Sequence, residues 1–227
     1  MQLRVEVSGA KNLIRLLDGD AKQVRYATAV ALTRTGYDVR SAEQAEMRNV
    51  FDRPTPWTIN SLWVKPATKA SLWAEVFFKD KKAKGATAGE YLIPQVEGGE
   101  RPQKRSEKAM QVRLHGRTVW VIPTDAVMDQ FGNVRPGLMK KILSDLNRAG
   151  GRRRGRALGY FIGRRGAAQN VVWQRTSRTA IRPVLIIVTK PHYAQRFKFY
   201  EISKRIVGQR FDAQFERAFA EAMRTRR

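Results

Sequence analysis

The sequence predicts an α+β fold in which a mixed or antiparallel sheet carries two long helices and is flanked by long basic loops. Strand-like segments occur near both ends of the chain and in its middle, and two long segments place apolar residues at helical spacing. Hydrophobic residues make up 42% of the 227 positions, which is enough for a packed core. We therefore expect a single domain, 1–227, with extended loops at about 79–117 and a basic, strand-rich insertion at about 150–190.

The N-terminal segment LRVEV alternates apolar and charged residues, which is typical of a half-buried strand. A short helix is expected over 10–17 and a long one over 21–51, where only Gly36 interrupts the helical pattern, at about 1 kcal/mol relative to Ala. Beyond Tyr37 the long helix becomes polar. Two interpretations of this half remain open: a solvent-facing extension, or a surface that packs on a neighbouring subunit.

Two prolines end the long helix, because Pro54 and Pro56 fix φ and disfavour helical geometry in the residue before each of them. Apolar segments of strand length follow at 59–64 and 72–77, separated by PATK, and predict a hairpin or strand pair. The next segment, KDKKAKGATA, is rich in charge and poor in apolar residues, which is typical of a surface loop.

The segment around Tyr91 does not look like part of the core, because glycines flank its apolar residues and a run of Lys and Arg follows. We predict a strand or an irregular segment here. Leu92, Ile93 and Val96 then form an apolar cluster on a charged segment. Such a cluster suggests a surface that docks onto another protein.

The second half of the chain mixes strands and helices. One of its strand segments contains the continuous apolar run LIIV between Pro183 and Pro191, which indicates a central strand. The predicted elements are a short helix at 106–112, a strand at 118–122, a helix at 135–149, strands at 158–162, 171–174 and 184–189, and a second long helix at 193–224.

The chain is strongly basic, with 44 Lys and Arg residues against 20 Asp and Glu, a net charge of +24 and a pI near 11.1. Thirteen basic residues and no acidic one lie between Asp145 and Glu201. This balance implies a polyanionic partner, an acidic protein partner, or an assembly whose neighbours neutralise the charge; a solvated flexible loop is the alternative for the arginine block itself. The candidate basic patch consists of Arg152, Arg153, Arg154, Arg156, Arg164 and Arg165.

The residues carry no catalytic or cofactor-binding pattern. The chain has no Cys, its two His residues, His115 and His192, are far apart, and neither a paired-carboxylate motif nor a phosphate-binding glycine motif occurs. We therefore expect no enzyme activity, no metal and no cofactor. No apolar run is long enough to cross a membrane and the N-terminus does not open a signal peptide, so we expect no membrane partner.

Nucleic-acid binding finds little support in motifs, since neither an RNP-like aromatic motif nor zinc-finger spacing occurs. Tyr160, Phe161 and Trp173 near the arginine block could stack on bases. Aromatic residues in a strand more often belong to the core, and that interpretation is favoured here.

Two strings, AVALTRTGYDVRSAEQAEMRNVFDRPTPWTINSLWVKPATK and GEYLIPQVEGGERPQKRSEKAM, resemble the tail-completion and neck proteins of tailed bacteriophages and prophages, the group labelled minor tail protein Z. In that group a long helix ends at R-P-T-P-[WY]-T-x-N-S-L and is followed by K-P-A-T-K and later by Y-L-x-P-Q-V-x-G-G. In this sequence these three short strings are, in chain order, the first string Arg53–Leu62, the second string Lys65–Lys69 and the third string Tyr91–Gly99. The resemblance covers a little over a third of the chain, and the arginine-rich region lies outside it.

The resemblance implies a structural role in the virion, at the neck or the head-proximal end of the tail, after assembly in the bacterial cytoplasm. It implies a homo-oligomeric ring of six or twelve copies that completes the tail and joins it to the head, with portal, adaptor and tail proteins as partners. Ring interfaces are heterologous, so each subunit carries two different complementary patches. The candidate interface residues are Arg53, Pro54, Trp57, Tyr91, Leu92, Ile93 and Val96.

For the basic patch two partners compete, namely virion DNA in the channel and acidic surfaces of neighbouring ring proteins. A ring in which every copy presents the thirteen basic residues between Asp145 and Glu201 would hold DNA tightly. We therefore expect most of these residues to face protein and a minority to face the lumen. Two other classes of function remain: a basic nucleic-acid-binding protein, for which the net charge is the whole case, and an enzyme acting on a polyanion, for which no metal-binding carboxylate pair is found.

Overall fold

The computed structural model describes residues 2–6, 21–79, 87–111, 117–148, 158–163 and 170–225, with the backbone alone over 2–6. The chain divides into two compact units. Unit 1 combines Met1–Gly98 with Ala194–Arg227, and unit 2 is Gly99–Tyr193. The segment at about 150–190, predicted as an insertion in a single domain, belongs to unit 2, whose described residues have their own hydrophobic core.

The predicted α+β class is confirmed. The described residues form these helices: α1 (Ala21–Val50), α2 (Pro56–Ile59), α3 (Ala88–Val96), α4 (Arg105–Gln111), α5 (Pro136–Arg148) and α6 (Phe199–Arg224). They form these strands: β1 (Gln2–Glu6), β2 (Leu62–Lys65), β3 (Trp73–Phe78), β4 (Gly99–Glu100), β5 (Trp120–Pro123), β6 (Gly159–Ile162), β7 (Val171–Arg175), β8 (Ile181–Val188) and β9 (His192–Tyr193). The helix predicted over 10–17 lies outside the described residues.

Unit 1 is built on a three-stranded antiparallel sheet in the order β1-β3-β2, which confirms the predicted strand pair. Helix α1 packs on this sheet and crosses it closely at Gly36, where a Cβ atom would lie 3.0 Å from Cγ1 of Val64 and 3.7 Å from Cβ of Ala74. The glycine that the sequence marks as a weak point of the helix is therefore the point of close approach between helix and sheet.

Helix α6 runs antiparallel to α1. The Glu43 carboxylate of α1 accepts a hydrogen bond of 2.7 Å from Ser203 near the start of α6, and Arg34 pairs at 3.0 Å with Glu221 near its end. Neither interpretation of the polar half of α1 anticipated this arrangement. That half packs against a helix of its own chain, with Glu43 fully buried between the two.

Helix α6 begins at Phe199, six residues after the predicted start at Tyr193. Tyr193 belongs to β9, which pairs with β4. The backbone N–H groups of Arg196 and Phe197 both donate to the carbonyl of Gln95, at 2.9 and 2.8 Å. Because these two N–H groups bond to Gln95, residues 196 and 197 lie outside the helix. The helix therefore begins later than the apolar spacing alone predicts.

Residues 88–96 form a helix, so the predicted strand or irregular segment, and the loop expected over about 79–117, need correction. The Thr87 hydroxyl caps α3 by accepting a hydrogen bond from the backbone N–H of Glu90 at 3.3 Å. Leu92 and Val96, spaced by four residues, lie on one face of α3 and enter the core of unit 1. That core consists of Val39, Met47, Ile59, Leu62, Val64, Val76, Phe78, Ala88, Leu92, Val96, Phe197 and Phe199.

Unit 2 contains a four-stranded antiparallel sheet in the order β5-β8-β7-β6, and β8 is central, as predicted. The strand is longer than expected, because Pro183 lies inside it next to an irregularity in the pairing with β7. Residues of α4 and α5 pack against one face of this sheet. The buried core consists of Met110, Val119, Val121, Val127, Ile142, Leu146, Tyr160, Val172, Val184, Leu185 and Ile187.

Candidate assembly surface

The first of the three strings forms the connection between α1 and β2. Arg53 has a positive φ of 47°, a conformation that a non-glycine residue rarely adopts, and it lies in the bend that follows α1. Thr55 then caps α2, its hydroxyl accepting a hydrogen bond from the backbone N–H of Thr58 at 3.1 Å. Pro56 occupies the first helical position, where its missing N–H costs nothing. The R-P-T-P pattern therefore specifies a tight turn and the start of a helix.

A side-chain hydrogen bond joins the first string to the third. The hydroxyls of Thr58 in α2 and Tyr91 in α3 lie 2.9 Å apart, although the residues are 33 positions apart in the sequence. Burial raises the pKa of the Tyr91 hydroxyl, and the hydrogen bond with Thr58 acts in the opposite direction. Tyr91 is half-buried and holds the two short helices together.

The predicted docking cluster is divided between core and surface. Ile93 is 37% exposed and Trp57 is 63% exposed. Leu92 and Val96 are buried among the core residues of unit 1 and do not reach the surface, so their assignment to a docking patch is corrected. The helical spacing that the sequence analysis missed sends these two side chains inward and leaves Ile93 between them facing out.

We define the candidate assembly surface as Arg53, Pro54, Trp57, Tyr91 and Ile93. The Arg53 guanidinium pairs with the neighbouring Asp52 at 2.9 Å, with both side chains largely exposed. An exposed pair of this kind contributes little stability. The candidate assembly surface is distinguished by two exposed apolar side chains, Trp57 of α2 and Ile93 of α3. The hydrogen bond between Thr58 and Tyr91 joins these two helices.

The second string, Lys65–Lys69, forms one wall of an open groove of about 430 Å³ between α1 and the loop that connects β2 to β3. The backbone N–H of Ala67 donates to the Thr33 hydroxyl at 3.1 Å, and the Lys69 ammonium lies 5.1 Å from the ring centre of Tyr26. These contacts fix the loop against α1, and no carboxylate lines the groove.

The six arginines of the predicted basic patch, Arg152, Arg153, Arg154, Arg156, Arg164 and Arg165, lie outside the described residues, as does His115. The aromatic residues proposed for base stacking are separated by the sheet of unit 2. Tyr160 belongs to the core, while Phe161 and Trp173 pair with each other and are half-buried on the opposite face.

Sequence reasoning missed several exposed apolar residues. Trp63 of β2 lies half-exposed beneath the Lys79 ammonium, 4.6 Å from its ring centre. Ile122 and Ile186 project from the sheet of unit 2 on the side away from its core. The continuous run LIIV was a signal for this face, but a run of this kind is normally explained by burial on both faces of a central strand.

No group of three His, Cys, Asp or Glu side chains that could hold a metal occurs in the described ranges. Within the same ranges, none of the helices combines the length and apolarity that crossing a bilayer requires. No protein-family model matches the chain, and neither a curated protein nor a solved structure matches it.

Proposed function

We propose that this chain is a structural virion protein of a tailed phage or prophage, a subunit of a ring at the neck or head-proximal tail that completes the tail and joins it to the head. The observation that carries the proposal is the hydrogen bond between Thr58 and Tyr91. It joins the first and third of the strings that resemble the neck and tail-completion group, and the second string lines a groove on the same unit.

The candidate assembly surface has the composition expected of a protein interface. Tryptophan is enriched among residues whose truncation weakens protein complexes, and arginine is enriched alongside it. Trp57 is 63% exposed in the isolated chain, and Ile93 adds an aliphatic side chain from the neighbouring helix. Both stand on short helices that are fixed to the core of unit 1, so binding would order few additional groups.

Sedimentation velocity over a series of protein concentrations tests this surface. We expect the wild-type chain to assemble into a discrete oligomer, and the double variant Trp57→Ser with Ile93→Ser to remain a monomer at the same concentrations. Tyr37→Ser is the matched control, because Tyr37 is also exposed, at 49%, but belongs to α1 outside the surface. An oligomer that survives the double variant would remove the surface from the proposal.

Charge supports a second function, that of a basic nucleic-acid-binding protein. Unit 2 holds 20 Lys and Arg residues against five Asp and Glu residues, a net charge of +15. Under this alternative the monomer binds random duplex DNA tightly, and its affinity falls steeply with added salt because each neutralised phosphate releases counterions. Titration of duplex DNA at several salt concentrations separates the two functions.

The basic patch gives a further test within a virion. We expect the quadruple change of Arg152, Arg153, Arg154 and Arg156 to Gln to produce unattached heads and tails, because most of these arginines are proposed to face acidic surfaces on neighbouring proteins. Electron microscopy of the lysate reads out the particles. Complete particles that leak or eject their DNA abnormally would assign the patch to DNA instead.

A further inference from the structure

The sheet of unit 2 has two unlike faces. One face is covered by the core, with Val121 of β5, Val172 of β7 and Leu185 of β8 buried. The strand pairing defines the other face, because directly paired residues of antiparallel strands project to the same side. Ile122 pairs with Ile186, which pairs in turn with Val171.

Two more rows continue this face along β7, past the irregularity in its pairing with β8 between Val172 and Trp173. Phe161 pairs with Trp173, and Arg175 pairs with Ile181. Ile122, Ile181 and Ile186 are 51%, 46% and 41% exposed, and Phe161, Val171 and Trp173 are half-buried. We call these six apolar residues the outer sheet face.

An apolar face of this kind is unusual in an antiparallel sheet with one covered side. Such a sheet normally alternates, with apolar residues toward the core and polar residues toward water. Here the outward positions on the four strands are apolar apart from Gly159 and Arg175, and contiguous exposed apolar surface marks a site of interaction. The single charged side chain paired into these rows is Arg175, which stacks over the Phe161 ring at 5.4 Å.

Charge indicates the chemistry of the partner. Only five carboxylates occur in unit 2, and four of them are engaged inside it. Glu100 pairs with Lys190, Glu107 pairs with Arg101, and Asp129 and Asp145 accept hydrogen bonds from backbone N–H groups. The turn between β7 and β8 adds Arg178 as an exposed cation at one end of the outer sheet face. The surroundings of this apolar face are therefore basic.

We propose that the outer sheet face docks an acidic protein partner whose apolar centre covers the isoleucines and whose carboxylates meet Arg175 and Arg178. The same face of a second copy is a poor occupant, because Arg175 and Arg178 of two such faces would bring like charges together. Single-stranded nucleic acid would stack on Phe161 and Trp173 but would leave the three isoleucines without a function. This inference does not depend on the proposed role in a virion.

Fluorescence anisotropy with three labelled probes tests the inference on the full chain. The probes are a peptide of alternating Glu and Leu, a polyglutamate peptide of equal charge, and a single-stranded oligothymidine. We expect the alternating peptide to bind about tenfold more tightly than polyglutamate, because burial of a few leucines adds at least that much affinity. We also expect it to bind more tightly than the oligothymidine.

The double variant Ile122→Lys with Ile186→Lys separates docking from simple charge attraction. Docking predicts that the alternating peptide binds about tenfold more weakly, since apolar contact area is lost. Charge attraction alone predicts tighter binding, since two cations are added. Tyr37→Lys, which adds one cation at an exposed residue of unit 1, is the matched control and is expected to leave the affinity of this peptide nearly unchanged.

Hydroxyl-radical footprinting of the wild-type chain guards against misfolding of the variant. With the alternating peptide bound, we expect protection of Trp173, Ile122 and Ile186. The proposal is overturned if these side chains are not protected, if polyglutamate binds as tightly as the alternating peptide, if the lysine variant binds more tightly, or if oligothymidine binds best. Concentration-dependent self-association that the lysine variant abolishes would also overturn it, because the face would then serve a second copy.

Discussion

Glu43 is a carboxylic acid buried between two helices. One oxygen accepts the hydrogen bond from Ser203, and the other has no hydrogen-bond partner among the described residues. Burial raises the pKa of Glu43 to about 8, with the Ser203 hydrogen bond acting against it, Glu46 raising it further and Arg205 lowering it. The side chain is therefore largely protonated near neutral pH, which avoids the cost of an uncompensated buried charge.

This pKa predicts a pH dependence of stability. Between the ordinary pKa of 4.5 and the folded value of about 8, the native state keeps a proton that the unfolded state has released, so the free energy of unfolding falls as the pH rises through this window. The fall attributable to Glu43 is on the order of 4 kcal/mol. Urea unfolding at pH 5 and pH 8 measures it.

The variant Glu43→Gln isolates this contribution, because the amide still accepts from Ser203 and does not titrate. We expect the wild-type chain to lose more stability than the variant between pH 5 and pH 8. Parallel pH profiles for the two proteins would show that Glu43 has an ordinary pKa in the folded state.

Gly36 gives a prediction with opposite expectations from sequence and structure. Helix propensity alone predicts that Gly36→Ala gains about 1 kcal/mol. The added Cβ would lie 3.0 Å from the buried Val64 side chain, so we expect a net loss of about 1 to 2 kcal/mol through overpacking. Gly208→Ala in α6 is the matched control, since no atom lies within 4 Å of its Cβ position, and it should gain up to about 1 kcal/mol. Chemical denaturation of both variants decides the sign.

At the scale of the element, two adjacent residues of α3 have different environments: Leu92 is buried in the core and Ile93 is partly exposed. Leu92→Ala is expected to cost about 2 to 5 kcal/mol, because it opens a cavity in the core of unit 1. Ile93→Ala removes a partly exposed side chain and should cost well under about 1 kcal/mol. Thermal unfolding of the two variants provides the comparison. Equal losses would mean that α3 is not oriented as the structure has it.

Periodicity explains which elements the sequence could predict. The long helix α1, the strands β2 and β3 and the central position of β8 follow from apolar spacing together with proline and glycine boundaries. Helix α3 did not, because Pro94 and the flanking glycines resemble a loop, while the decisive contacts are a cap at Thr87 and packing on Phe197. The start of α6 was also missed, since a carbonyl about one hundred residues earlier in the chain determines it.

At the scale of the molecule, the boundary of unit 2 depends on the short pairing of β4 with β9, which joins Gly99 to Tyr193. No local pattern marks this pairing, so composition alone indicated one domain. Of the candidate site, Ile93 was identifiable as an apolar residue in a charged segment, and Trp57 through the resemblance of Arg53–Leu62 to the phage group. The sequence did not indicate that Ile93 is exposed while Leu92 and Val96 are buried, because this difference depends on the helical geometry of α3.

The central claim is that this chain assembles into a ring. Negative-stain electron microscopy of the purified chain at several concentrations tests this assembly most directly. We expect closed rings of uniform diameter to appear as the concentration rises, because heterologous interfaces that close on themselves give a fixed number of subunits. Monomers at every concentration, together with tight and salt-dependent binding to random duplex DNA, would contradict the claim and favour a nucleic-acid-binding protein.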